Sequence, residues 1–272
     1  MKVIVATLLL GIVGSSLSAQ VNFSGLYTQN FDALPSTGST TLLTSAPPAQ
    51  TGLSYLSGWY AAKLSGNTSS MTLIADPGSS TTAGIHSFGA TSATERALGS
   101  LASSTATPAF GAAFVNTTGQ TISSVNLSFV SEFWRSGAAT SAGGVQNSLS
   151  FAYGLSGGTA TLSNFLFDTS LIAQTALNVV GPPPPMSGNG AQLDGNLLAN
   201  EANVSGLINL TWAPGQTLYI RWQDFNDAGN NAGLAIDNLV VAIPEPSAIG
   251  LVFGLAVVGA ALRRRRAPLV LS

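Results

Sequence analysis

The chain has 272 residues, no cysteine, and charged side chains at only 7% of its positions. The absence of thiols excludes disulfide bonds, zinc–thiolate sites and cysteine nucleophiles. Residues 20–243 carry four basic and ten acidic side chains, a net charge of −6, so this region lacks the basic surface that binding to nucleic acid requires.

The N-terminus has the pattern of a secretory signal peptide. Lys2 precedes an apolar run over residues 3–13, and mostly small residues follow up to Ala19. This pattern predicts a signal peptide over residues 1–19, cleaved after Ala19 or, alternatively, after Ser18. An uncleaved anchor is disfavoured, because the run is shorter than the ~20 apolar residues that span a bilayer.

Apolar and polar residues alternate in much of the region that follows, which predicts strands with one buried face. The alternation is clearest over residues 125–133 and in Leu218, Ile220 and Trp222. Further candidate strands are residues 26–31, 58–64, 71–74, 85–88, 96–101, 112–116, 148–153, 165–168, 207–212 and 234–241. Residues 20–243 are therefore predicted to form one all-β body, a jelly-roll or concanavalin-like β-sandwich.

Oxygen-bearing side chains cluster around a glycine turn late in the body. Asp224, Asn226, Asp227 and Asn230 lie in this turn, and Asp237 follows shortly after it. Calcium takes about six to eight oxygen ligands, so these residues are a candidate calcium site, although their spacing is not that of an EF-hand. The alternative is an Asx-rich hairpin turn whose side chains bond to the backbone.

A second candidate site lies at the end of the strand over residues 125–133. Glu132 and Trp134 project from one face of this strand, and Arg135 follows. An exposed indole beside an acid and an arginine would suit a sugar, because the flat ring stacks on a pyranose and the charged groups bind hydroxyls. The alternative is a Glu132–Arg135 pair with Trp134 packed beneath a loop.

Arginine–carboxylate pairing is the structural role expected of the few charges in the body. The expected pairs are Arg96 with Glu95, Arg135 with Glu132, and Arg221 with Asp224. Glu95 and Glu132 would make a glycosidase pair only if they met in a cleft. His86 has no accompanying nucleophile elbow, so catalysis is not predicted.

The C-terminus combines three features in a fixed order. The segment Pro244, Glu245, Pro246, Ser247 precedes an apolar run over residues 248–262 and the basic cluster Arg263, Arg264, Arg265, Arg266. As a helix the run would rise about 22 Å, which is short for a ~30 Å hydrocarbon core. The arginines place its C-terminal end in the cytoplasm and the body outside the inner membrane.

Residues 244–272 resemble the PEP-CTERM sorting tail of proteins exported by Gram-negative bacteria. This resemblance implies processing by an exosortase and passage of the body to the cell surface or the biofilm matrix. A weaker resemblance joins the body to uncharacterised PEP-CTERM proteins expected to be lectin-like β-sandwiches. The segments that carry it are residues 30–35, 58–60, 95–100, 132–135, 221–227 and 234–237.

The predicted function is that of an exported, non-catalytic surface or matrix protein that contacts exopolysaccharide, with calcium as a candidate cofactor. Its expected partners are an exosortase, the inner membrane and a polysaccharide. Two alternatives stay open, which are a hydrolase acting on polysaccharide and a purely structural, glycosylated coat protein.

Overall fold

A computed structural model describes residues 20–137, 147–181, 190–227 and 231–245. Within these ranges the chain forms sixteen strands, with two short 3₁₀ turns at Thr175–Leu177 and Leu198–Asn200. The strands are β1 (Val21–Phe23), β2 (Leu26–Gln29), β3 (Ser39–Leu43), β4 (Ala49–Gly52), β5 (Trp59–Ser65), β6 (Met71–Asp76), β7 (Gly84–Phe88), β8 (Ala97–Leu101), β9 (Thr107–Asn116), β10 (Ile122–Arg135), β11 (Ser148–Leu155), β12 (Ile172–Ala173), β13 (Val179–Val180), β14 (Glu201–Trp212), β15 (Thr217–Asp224) and β16 (Gly233–Ala242). The all-β prediction is therefore confirmed.

The strands are arranged in two sheets. Sheet 1 has the order β12, β11, β15, β9, β5, β4, with β1 beside β9 and β13 beside β11. Sheet 2 has the order β14, β10, β16, β8, β7, β6, β3, with β2 beside β16. The β1–β9 and β6–β7 pairs are parallel, and the other pairs in the described ranges are antiparallel. Two sheets agree with the predicted sandwich, whereas its jelly-roll or concanavalin-like connectivity stays a prediction.

One hydrophobic core lies between the sheets. Phe110 and Trp222 enter it from sheet 1, and Phe129 and Ile236 enter it from sheet 2. Successive side chains of a strand point to opposite faces, so the inward apolar residues of β10 leave Glu132 on the outer face of sheet 2. The same alternation that builds the core therefore places the candidate site outside it.

The predicted strand over residues 165–168 is wrong. This part of the chain begins in a turn, in which the backbone N–H of Phe165 donates to the carbonyl oxygen of Thr161 at 3.0 Å. Phe165 is fully buried against the outer face of sheet 1, where its ring contacts Tyr60 and Tyr219. The apolar residues of this segment belong to a loop that packs against the outer face of sheet 1, and not to a strand.

The two predicted delivery segments lie outside the described residues. These are the signal peptide over residues 1–19 and, in the C-terminal tail, the helix over residues 248–262 with the arginines that follow it. In the ranges that the structure describes, no helix has the length and apolar character needed to cross a bilayer. The division into signal peptide, body and tail stays a prediction.

Candidate functional site

Three carboxylates converge on the outer face of sheet 2. They belong to Glu95, Glu132 and Asp237, and one oxygen from each lies within 4.8 Å of those from the other two. We call these residues the acidic trio. Glu132 is 3% exposed and Asp237 is 5% exposed, so two of the three charges are almost removed from water.

Sheet register brings two members of the acidic trio together. Glu132 of β10 lies directly opposite Ala235 of β16, and Asp237 is two residues further along β16. Residues at this spacing project from the same face of a strand. Glu201 of β14 lies directly opposite Glu132 on the other side of β10 and adds a fourth acid to this face.

A covering segment holds the third member. Glu95 lies two residues before the start of β8, and its Oε2 accepts a hydrogen bond from the side-chain amide of Asn196. Asn196 belongs to residues 190–200, which cross the outer face of sheet 2 and run antiparallel to the end of β10 at Arg135 and Gln192. Glu95 therefore meets Glu132 only because both β8 and this segment are in place.

Burial and mutual repulsion disfavour ionisation of the acidic trio. Burial, reinforced by the charges of Asp237, Glu95 and Glu201, raises the pKa of Glu132 to about 8 against the effect of a hydrogen bond from Trp134. Burial, with the charges of Glu95 and Glu201 among others, also raises the pKa of Asp237 to about 7. Negative charge concentrated in this way is stabilised by a proton or a cation.

The predicted arginine–carboxylate pairs are wrong. The one ion pair within the described residues joins His86 to Asp76. The guanidinium groups donate to backbone carbonyl oxygens instead, Arg96 to those of Ser87 and Ala90, Arg135 to those of Gly78 and Ser79, and Arg221 to those of Leu166 and Asp168. Alternation along β10 turns Arg135 away from Glu132, which leaves the acidic trio without an arginine partner in the described ranges.

The predicted exposure of Trp134 is also wrong, because its side chain is only 1% exposed. One face of the indole stacks on Phe88 with ring centroids 5.9 Å apart, and Gly195 lies so close that a Cβ there would be 2.3 Å from the ring. The indole N–H donates to Oε2 of Glu132 at 2.7 Å. Trp134 is therefore packed beneath a loop, as the alternative interpretation held.

Sugar contact by Glu132, Trp134 and Arg135 stays a prediction. The exposed indole that suggested this contact is absent, because Trp134 is buried. Glu132, Glu201 and Asn200 line a depression of about 180 Å³, together with Phe133 and Leu234 from the inner face of sheet 2. Val180 and Ala199 supply apolar walls. This depression was not predicted, because it forms where β10, β13, β14 and a 3₁₀ turn meet.

The residues of the predicted calcium turn do not form one cluster. Asp224 points between the sheets, where its Oδ2 accepts a hydrogen bond from the hydroxyl of Ser100 at 2.8 Å. Oδ1 of Asn226 accepts from the amide of Asn231 at 3.1 Å. The backbone N–H of Asp227 donates to Oδ1 of Asn231 at 2.8 Å, so an Asn side chain bonds to the backbone of this turn.

Asp237 is separated from that turn, because it lies on the outer face of sheet 2 with the acidic trio. Asn230 lies outside the described residues. The sequence spacing between Asp224 and Asp237 was misleading, since the strand boundary between them sends the two carboxylates to different faces of the sandwich.

Replacing Asp224 with asparagine should stabilise the protein at alkaline pH. Burial raises the pKa of Asp224 to about 8 from the ordinary value of 3.8. Between these values the folded chain retains a proton that the unfolded chain releases, so stability falls as the pH rises. Each unit of pKa shift corresponds to about 1.4 kcal/mol in the free energy of unfolding, but relaxation of the protein around the buried charge lowers the full cost of ionising Asp224. We therefore expect the asparagine variant to be more stable than the native chain by on the order of 2 kcal/mol at pH 8.

Urea unfolding at pH 4.5 and at pH 8 measures this effect. The variant and the native chain should have similar stabilities at the lower pH, where both side chains are neutral. An equal gain at both pH values would contradict the assignment of a neutral, protonated Asp224 in the folded protein.

The end of the chain, over residues 242–266, matches one known protein family. It carries a PEP-CTERM protein-sorting motif. The match includes the predicted segment 244–247 and the arginines at 263–266, and it confirms the resemblance seen in the sequence. A PEP-CTERM motif implies export, membrane-anchored sorting and processing by an exosortase.

Several solved structures match the chain at low similarity. The "CBM22-1 xylan-binding domain from Paenibacillus barcinonensis Xyn10C" is 9% identical, with a TM-score of 0.27, over 83% of this chain and 97% of that one. The "K2 Cleaved Adhesin Domain of Lys-gingipain (Kgp)" is 10% identical, with a TM-score of 0.34, over 82% of this chain and 100% of that one.

The "Bacteriophage CBA120 tailspike protein 4 enzymatically active domain" is 10% identical, with a TM-score of 0.35, over 75% of this chain. The matched region spans only 22% of that tailspike chain. No curated protein matches the chain. At such low identities and TM-scores, none of these structures assigns a ligand or an activity to the protein.

Proposed function

We propose that the body works outside the inner membrane as a non-catalytic surface or matrix protein that contacts exopolysaccharide. The PEP-CTERM motif supports delivery of the body to the envelope. The observation that supports the sugar contact is the depression lined by Glu132, Glu201 and Asn200. A concave site with a few convergent polar groups is the usual form of a small-ligand site.

The lining of this depression suits a saccharide unit. Glu132 and Glu201 accept hydrogen bonds from hydroxyl groups, and the side-chain amide of Asn200 is held by the carbonyl oxygen of Asp194 at 2.7 Å. Val180, which is 52% exposed, and Ala199 offer apolar surface to the C–H face of a sugar ring. Carboxylates repel uronic acids, so the site favours neutral sugars unless a cation is bound.

Binding of the full-length chain to a polysaccharide array, with calcium and with EDTA, tests this function. We expect retention of at least one neutral polymer, and Glu201→Gln should weaken it by about 10-fold, because a hydrogen bond to a charged group is worth about 1.5–3 kcal/mol. Asp194→Asn is the matched control, since this exposed acid lies outside the depression. The absence of binding to every polymer under both conditions would remove the proposal.

A polysaccharide hydrolase is the second candidate, because Glu95 and Glu132 do meet. Their oxygens lie within 4.8 Å, and the raised pKa of Glu132 would suit a general acid. This contact is compatible with the ~5–5.5 Å between the carboxyl groups of retaining enzymes and is too close for the ~6.5–9.5 Å of inverting ones. Release of reducing ends from a polymer by the native chain, and no release by Glu132→Gln, would favour a hydrolase over a binding protein.

A further inference from the structure

We propose that the acidic trio is a binding site for a divalent cation, and that calcium is the ion it takes. This site differs from the calcium turn indicated by the sequence, since Asp237 is the one residue common to both. The inference goes beyond sugar contact and does not depend on it, because the ion can be bound and measured with no saccharide present.

The hydrogen bonds around the acidic trio leave one oxygen of each carboxylate available. Oε2 of Glu132 accepts from Trp134, Oε2 of Glu95 accepts from Asn196, and Oδ2 of Asp237 accepts from Asn238. The backbone N–H of Asn238 also stabilises the Asp237 carboxylate, whose Oδ1 has no hydrogen-bond partner among the described residues. Each carboxylate is thus oriented by a neighbouring donor and retains one oxygen for a ligand.

Asp237 supplies an independent observation that points to a ligand. Its side chain is 5% exposed, and Oδ1 is buried without a hydrogen-bond partner among the described residues. A buried polar atom without a partner is costly, and a charged one more so. An ion bound between the three carboxylates would satisfy this oxygen and neutralise the repulsion between them.

Other buried acids in the protein are treated differently. Asp76 accepts three backbone N–H groups and contacts His86, and Asp168 accepts from Ser170 and Thr159. Asp224 accepts from Ser100. Among the described residues, a cluster of three carboxylates close enough to share an ion occurs only in the acidic trio.

The ligand chemistry favours calcium. All three ligands are carboxylate oxygens, which bind hard cations and not the softer metals that prefer nitrogen or sulfur. Calcium–oxygen distances of about 2.3–2.6 Å allow ligand oxygens up to about 5 Å apart, which accommodates separations within 4.8 Å.

Terbium luminescence in the full-length chain tests the site directly. Terbium substitutes for calcium and emits when a nearby indole is excited, and the indole N–H of Trp134 is 2.7 Å from Oε2 of Glu132. We expect tryptophan-sensitised emission that calcium displaces. Glu132→Gln should weaken calcium binding by at least ~10-fold, because even outer-sphere changes cost about 10–100-fold.

Two control variants distinguish binding at the acidic trio from binding elsewhere in the chain. Trp134→Phe removes the donor that orients Glu132, so it should weaken calcium binding by about 10-fold and lose most of the sensitised emission even when saturated with terbium. Asp227→Asn should retain both the calcium binding and the emission. Thermal unfolding in EDTA tests whether Glu132→Gln is folded, because a midpoint equal to or above that of the native chain requires a native fold. Calcium should then raise the unfolding midpoint of the native chain and leave that of Glu132→Gln unchanged. Native-like calcium binding by Glu132→Gln, loss of binding in Asp227→Asn, or no calcium binding by the native chain would each overturn the proposal.

Discussion

Replacing Asp76 with alanine should lower the free energy of unfolding by about 3–5 kcal/mol at neutral pH. Asp76 is 2% exposed, and its Oδ1 accepts hydrogen bonds from the backbone N–H groups of Gly78, Ser79 and Ser80 at 2.9, 2.9 and 3.1 Å. Its Oδ2 lies 2.9 Å from Nδ1 of His86. One side chain therefore orders a turn and holds a buried ring in place.

Both nitrogens of His86 face acceptors. Nδ1 contacts the carboxylate of Asp76, and Nε2 lies 3.0 Å from the carbonyl oxygen of Thr82. The alanine variant would leave Nδ1 of this ring, which is 0% exposed, without its partner and would also free three backbone N–H groups.

The loss should depend on pH. Burial alone would raise the pKa of Asp76, but the hydrogen bond and charge of His86, with the backbone N–H groups of Ser80 and Gly78, lower it below its ordinary value of 3.8. A lowered folded-state pKa means that the stabilisation is present above the unfolded-state pKa and disappears as the pH falls through the folded one. Urea unfolding of both proteins should therefore converge in acid.

Asp194→Ala is the matched control for this prediction. Asp194 is exposed, and its Oδ1 accepts a single backbone N–H, that of Asn196, at 3.1 Å. Its removal should cost about 1 kcal/mol or less. A double-mutant cycle of Asp76→Ala with His86→Ala should give a coupling of about 0.5–3 kcal/mol. Equal losses for Asp76→Ala and Asp194→Ala, with no coupling to His86, would contradict the proposed role.

The period-two pattern predicted the strands that build the core and failed where strands lie at an edge. Residues 125–133, 218–222 and 234–241 fall within β10, β15 and β16, whose inner faces are mostly apolar. The strand β3 was not predicted, because three of its five residues are exposed and no buried face marks it. Edge strands of this kind form by backbone hydrogen bonding to a neighbouring strand, so their sequences need not alternate between apolar and polar residues.

The sequence indicated a role for each residue of the acidic trio separately but did not predict that the three residues form one site. The sequence marked Glu132 for a sugar, Asp237 for calcium and Glu95 for an arginine, since each was interpreted with its neighbours in the chain. Their convergence depends on the register of β10 against β16 and on the segment that carries Asn196. Such long-range pairing is set by the whole fold, and no local spacing encodes it.

The burial of Trp134 illustrates the same limit. Alternation along β10 correctly places its side chain on the outer face of sheet 2, but the outer face of a sheet is not always exposed. Residues 190–200 cover that face, with the backbone N–H of Leu193 donating to the carbonyl oxygen of Trp134 at 2.8 Å. The face of a strand is local information, whereas the loop that covers it is not.

Replacing Trp222 with alanine should also lower the free energy of unfolding by about 3–5 kcal/mol. Trp222 is 0% exposed and contacts the rings of Phe110 and Phe151 in sheet 1 and of Phe129 in sheet 2, with centroids 5.9, 5.0 and 5.4 Å apart. Its indole N–H donates to the carbonyl oxygen of Leu177 at 3.2 Å. The variant would lose aromatic packing on both sides of the core and leave that buried carbonyl without its donor.

Guanidinium unfolding of Trp222→Ala and Phe225→Ala compares the loss of stability on truncating a buried aromatic side chain with the loss on truncating an exposed one. Phe225 is 46% exposed, so its truncation should cost about 1 kcal/mol or less. Trp222→Phe should give an intermediate loss, because it retains a ring but not the hydrogen bond to Leu177. Phe129→Ala should be coupled to Trp222→Ala, since their rings meet across the sandwich. Additive losses, or a Trp222→Ala variant no less stable than Phe225→Ala, would mean that the two sheets do not stabilise each other through this cluster.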